Sequence, residues 1–112
     1  MAAVYKILGQ ANPSNTSADL YTAPSGYGAV VSTITVCNTS ATPTTYTIIV
    51  RPSADASDAI KHRVASTISI DGNTSISYTL GLTLNAGDKI RVSTPSTGSV
   101  AFGAFGTEIS LA

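Results

Sequence analysis

Ser75-Ile76-Ser77-Tyr78-Thr79-Leu80-Gly81-Leu82-Thr83-Leu84 alternates an apolar side chain with a hydroxyl or a glycine at every step. Side chains on a strand point to opposite faces in turn, so this stretch reads as a half-buried strand with its aliphatic row inward. Gly81 interrupts the hydroxyl row and predicts a bulge or a close backbone approach. The same period recurs on both sides. Residues 4–8 read as a short first strand, and Leu20 and Tyr21 belong to a second one. Residues 30–37 place Val30, Ile34 and Val36 on one face and Thr33 and Thr35 on the other. Tyr46, Ile48 and Val50 alternate with Thr45, Thr47 and Arg51; Ile90 and Val92 alternate with Lys89, Arg91 and Ser93. A strand beginning near Lys61 ends with Ile68 and Ile70, and a last strand or strand pair covers residues 100–111.

Turn-forming clusters separate these runs. They are Asn12-Pro13-Ser14-Asn15, Pro24-Ser25-Gly26, Asn38-Thr39-Ser40, Asp71-Gly72-Asn73, Asn85-Ala86-Gly87-Asp88 and Pro95-Ser96-Thr97-Gly98. Asp71-Gly72 between two alternating segments predicts a hairpin. Residues 53–60 lack the alternation and read as a loop or a single helical turn. Strands of this length at roughly 8–12-residue spacing predict an all-β, two-sheet antiparallel sandwich of about eight strands. Jelly-roll and immunoglobulin-like topologies both fit. Residues 1–112 are expected to form a single domain.

Composition narrows the function. Charged residues are 11% of the chain, against the usual quarter, and formal net charge is zero. Phosphate neutralisation needs a basic stripe, so nucleic acid is not an expected partner. No run of ~18 apolar residues spans a bilayer, and no membrane partner is expected. The opening Met1-Ala2-Ala3-Val4-Tyr5-Lys6 lacks the basic-then-apolar order of a secretory signal, so synthesis and folding in a cytoplasm are expected. Weakly charged surfaces repel one another little, which favours self-association or docking on a larger body.

The inventory for chemistry is thin. His62, the single histidine, lies between Lys61 and Arg63 and reads as a solvent-facing strand residue rather than a general base or metal ligand. Cys37, the single cysteine, reads as a small half-buried hydrophobe rather than a nucleophile paired with His62. Most of the acids, Asp19, Asp55, Asp58, Asp71, Asp88 and Glu108, fall in turns. Asp55 and Asp58 have weak calcium potential, and their spacing does not match a helix-loop-helix calcium loop. Asn15-Thr16-Ser17, Asn38-Thr39-Ser40 and Asn73-Thr74-Ser75 match the glycan acceptor pattern but carry no weight without a secretory signal. No metal, cofactor or catalysis is expected. Tyr46 and Tyr78 read as core residues with their hydroxyls at an edge. Tyr27, between Gly26 and Gly28, reads as a contact anchor on a loop. Val4, Tyr5 and Lys6, on the first strand, are the other candidate protein-contact residues, since a terminal strand can complete another chain's sheet.

The order of segments carries a resemblance. Val4-Tyr5-Lys6-Ile7-Leu8-Gly9-Gln10-Ala11 is followed by Leu20-Tyr21-Thr22-Ala23-Pro24, Ala29-Val30-Val31-Ser32-Thr33-Ile34-Thr35-Val36-Cys37-Asn38 and Thr45-Tyr46-Thr47-Ile48-Ile49-Val50-Arg51. Asp88-Lys89-Ile90-Arg91-Val92 and Phe102-Gly103-Ala104-Phe105-Gly106-Thr107-Glu108-Ile109 complete it. This order resembles small β-sandwich accessory virion proteins of tailed bacteriophages, including cyanophages. The resemblance implies a virion location and a structural role. The first form is capsid cement or decoration docked on major capsid protein; the alternative is a tail, neck or fibre component. A homo-oligomer is expected on physical grounds, since a small uncharged sandwich gains stability by burying one face. A carbohydrate-binding sandwich, using Tyr27 and the Asp55/Asp58 loop, is a further alternative from a different class.

Overall fold

The computed structural model describes residues 3–13, 17–95 and 98–111. A flexible arm is expected at Met1 to Ala3; its residues 1–2, the turn positions 14–15 and 96–97 and part of the first acceptor triplet lie outside them, while Ala3 is the first residue of a strand. The strands are β1 (Ala3–Ala11), β2 (Ser17–Thr22), β3 (Tyr27–Asn38), β4 (Thr44–Arg51), β5 (Arg63–Ile70), β6 (Thr74–Leu84), β7 (Lys89–Ser93) and β8 (Val100–Ser110). A 3-10 turn at Ile60–His62 precedes β5, so that strand starts at Arg63 rather than near Lys61. The first strand is longer than its apolar core implied, because it pairs with β8 from Ala3 to Ala11.

Two antiparallel sheets of four strands face each other, in the orders β1-β8-β3-β6 and β2-β7-β4-β5. An immunoglobulin-like sandwich pairs its first two strands in one sheet. Here β1 and β2 lie in different sheets and β1 pairs with the last strand, which is the double Greek key of a jelly roll. Every connection except that between β4 and β5 therefore crosses from one sheet to the other. Asp71-Gly72 is accordingly a crossing and not a hairpin, since β5 and β6 belong to opposite sheets. Its geometry is fixed by packing: a Cβ on Gly72 would run into the Ala41 carbonyl, and the Asn73 N–H donates to Ser40 O at 2.8 Å.

The core lies between the sheets. Val31, Ile34 and Val36 of β3 and Phe102 and Ala104 of β8 meet Tyr46 and Ile48 of β4 and Ile90 and Val92 of β7. Tyr46 packs edge-on against Phe102, with ring centroids 6.2 Å apart, and its hydroxyl bonds that of Tyr78. Each tyrosine hydroxyl thus has the other as a hydrogen-bond partner. Val31, not Val30, is the core residue of its pair, because β3 carries an extra residue at Ser32 against β8. The bulge inverts the inward-outward alternation, so Ala29 and Val31 point inward before it and Ile34 and Val36 after it. The register of β6 against β3 shifts at the same place, opposite Leu80 and Gly81, where the sequence predicts an irregularity.

Candidate docking face

The outer face of the β1-β8-β3-β6 sheet follows from the register. Phe102 and Ala104 point into the core, so Phe105, Thr107 and Ile109 point outward. Ile7 lies opposite Phe105, Tyr5 opposite Thr107 and Ala3 opposite Ile109; on the other side Val30 lies opposite Thr107. Tyr5, Ile7, Phe105, Ile109 and Val30 thus form an apolar stripe on the outside of the sandwich. Tyr5 is 85% exposed and Ile7 56% exposed. Leu111 extends the stripe, folding over Gly28 while its N–H donates to Gly26 O at 2.9 Å. Toward β6 the same face turns polar, with Thr33, Thr35, Ser75, Ser77, Thr79 and Thr83 outward. Isolated exposed apolar residues are ordinary, but a contiguous stripe on one face marks an interaction surface.

The predicted contact residues separate on this frame. Tyr5 sits in the stripe. Val4, 54% exposed, and Lys6 take the opposite row of β1, facing the sandwich edge. The Lys6 ammonium donates to Glu108 Oε1 at 2.9 Å, and the Tyr21 hydroxyl, from the other sheet, donates to Glu108 Oε2 at 2.7 Å. These two hydrogen bonds hold the Glu108 carboxyl below the usual glutamate value. Burial, and then the adjoining carboxylate, push the Tyr21 hydroxyl up. Tyr21 and Glu108 thus tie the two sheets at this edge, and Lys6 adds a bond within the sheet of Glu108. Tyr27 is the first residue of β3 rather than a loop tip; its N–H closes the Pro24 turn at 3.0 Å, and its side chain is half-exposed. Ile7, Phe105 and Ile109 are the stripe members that the sequence reading did not single out. The alternation of Tyr5 and Ile7 was a signal for them, but β8 pairing was needed to bring Phe105 and Ile109 alongside.

The residues weighed for chemistry are not assembled into one site. His62 is buried, not solvent-facing, because the chain turns at Ile60–His62 and folds its ring inward. Its Nδ1 accepts the Ala59 N–H at 3.0 Å and its Nε2 faces Asp55 Oδ2 at 2.7 Å, so the ring pins the β4–β5 loop. The hydrogen bond with His62 lowers the pKa of Asp55. Cys37 is half-buried on the outer row of β3, in the opposite sheet from the strands flanking His62. Asp58 accepts from Arg51 at 2.9 Å and from Arg91 at 3.1 Å, and Arg91 also reaches Asp19. Asp58 faces two arginines, Asp55 has Lys61 Nζ at 3.9 Å, and no group of three metal-ligating residues forms among the described residues. Asn38, the asparagine of one acceptor triplet, is fully buried. An open groove of about 490 Å³ on the other sheet is lined by Ser17, Thr45, Thr47, Thr67, Ser93 and Thr94, with Tyr46 and Pro95. Neither Tyr27 nor Asp55 nor Asp58 lines it.

No family model matches the chain, and no curated protein matches it. Among solved structures, the fold is similar to that of a chain in the structure of the infectious bursal disease virus Gx strain. The TM-score is 0.51 at 12% identity, and the match covers 97% of this chain and 32% of that one. The present chain thus spans about a third of that longer chain. At this identity the likeness concerns the fold.

Proposed function

We propose that this protein is a non-enzymatic structural component of a virion, docking as a cement or decoration module on a shell of major capsid protein. The observation that carries the reading is the exposed Tyr5–Ile7 stripe on the outside of a jelly roll that needs none of those residues for its own core. The jelly roll is a frame used by viral capsid proteins, and also by lectins and cupins. The virus chain with the same fold supports the first of these. The tailed-bacteriophage assignment rests on the resemblance in segment order described above. A shell offers many equivalent sites, so a modest apolar contact repeated over its surface gives secure attachment.

The test is a Tyr5→Ser, Ile7→Ser double substitution. Both side chains are more than half exposed, so the stability of the isolated protein should change by about 0.5 kcal/mol or less. Co-sedimentation with shells lacking the protein should fall at least about tenfold in affinity. Particles carrying the variant should release their genome at a lower temperature than wild-type particles. Absence of the protein from purified heads, with unchanged particle stability on its deletion, overturns the reading. Labelled copies on the tail or neck decide for the alternative location.

A further inference from the structure

Edge strands present unpaired N–H and C=O groups, and folded proteins blunt them with charge, proline, bulges or shortness. Three of the four edges here are blunted. β1 carries Lys6 and a register slip at Leu8. β2 has six residues, with Asp19 exposed and a slip at Leu20. β5 slips twice against β4, and Thr67 has a positive φ of 50°. β6 differs. It runs for eleven residues, Thr74–Leu84, with no charged residue and no proline, and its own slip against β3 at Leu80 and Gly81 leaves its inward–outward alternation unbroken. Its inward row, Ile76, Tyr78, Leu80 and Leu82, packs on the core yet stays half-exposed, and Ile68 of the facing edge β5 is 37% exposed. The sandwich is thus open along this side, with a long unpaired strand edge and an unfinished apolar row.

We propose that a second copy of this chain closes it, β6 pairing antiparallel with β6 of the partner about a twofold axis. Directly opposed residues in an antiparallel pair lie on the same face of the sheet. A twofold axis through an outward residue of β6 meets this condition by itself. With the axis at Thr79, Leu80 meets the partner's Tyr78, Leu82 meets the partner's Ile76, and Ser77 meets the partner's Gly81. Apolar meets apolar and hydroxyl meets hydroxyl or glycine, and no like charges are opposed anywhere along the strand. An isologous contact asks for such self-complementarity. A formal net charge of zero leaves little long-range repulsion between copies. The result is one eight-stranded sheet, β1-β8-β3-β6 continued through the partner's strands in reverse order. This inference stands apart from the virion reading, since it concerns a different edge and needs no shell.

Sedimentation of the full chain tests it. Wild type should be a dimer, and Thr79→Lys, which sets two ammonium groups against each other on an exposed row, should weaken it at least about tenfold. An unchanged circular-dichroism spectrum shows that the variant folds. In a Cys37→Ser background, single cysteines at Ser77, Thr79 and Gly81 locate the axis. The one lying on it should form an intermolecular disulfide under copper-phenanthroline oxidation, because opposed Cα atoms fall within disulfide range. A Tyr5→Cys control on β1 should not. A chain that is monomeric at its highest soluble concentration overturns the proposal, and so does a dimer that ignores Thr79→Lys and cross-links through position 5.

Discussion

Asn38 ends β3 fully buried, and its amide nitrogen reaches Thr42 O at 2.9 Å and Asp71 O at 3.3 Å, while its oxygen accepts the Ser40 N–H at 3.1 Å. A single side chain therefore clamps the β3–β4 crossing to the β5–β6 crossing. Asn38→Ala removes these bonds from a fully buried position and should cost about 1–3 kcal/mol, read as a lower urea midpoint at constant slope. Glu108 makes a prediction in pH. Its folded-state pKa lies below the ordinary 4.5 through the Tyr21 and Lys6 hydrogen bonds. The stabilisation is therefore complete above that value and is lost as pH falls through the lower, folded value. Thermal melts of Glu108→Gln should lose less between neutral and acid pH than those of wild type. Neither role was legible beforehand. Asn38 read as a turn former and Glu108 as one acid among six, because their partners lie 33 and 87 residues away in the chain. His62 was misread for a related reason: its two cationic neighbours in sequence implied solvent, but the turn at Ile60–His62 reverses the direction of the ring.

Among the elements, β6 was the most legible, since its alternation of half-buried and exposed residues is unbroken from Thr74 to Thr83. β3 was less so. Val30 and Val31 are both apolar, and periodicity offers no means of choosing between them once a bulge intervenes. The bulge needs room on β8, where Gly106 lies opposite Val31. A Cβ at Gly106 would collide with the Val30 carbonyl. Gly106→Ala should therefore disturb the β3–β8 ladder and destabilise by about 1–3 kcal/mol, with the loss of amide protection concentrated in β3 and β8. At the β1 edge, what was legible was the exposure of a terminal strand; the stripe itself arises from cross-strand neighbours that come from opposite ends of the chain.

For the whole molecule, strand number and two-sheet class followed from spacing and alternation, while the order of strands did not. Turn residues such as Asp71-Gly72 serve a crossing as well as a hairpin, since both require a sharp reversal of local backbone. What distinguishes them is whether the flanking strands share a sheet, and that depends on contacts distant in sequence. The same arrangement bears on biogenesis. Sequential strands mostly do not pair here, and the first strand waits for the last, Ala3 opposite Ile109. A nascent chain leaving the ribosome consequently holds Tyr5 and Ile7 without their β8 neighbours until residues 100–110 have been made. Loops must close over long separations before any reward is gained, which makes folding slow for the chain's size. During that interval the apolar side chains of Tyr5 and Ile7 and the unpaired β6 edge are both open to other chains. Rapid high-level expression should then favour aggregation over maturation, unless chaperones hold the unfinished chains apart.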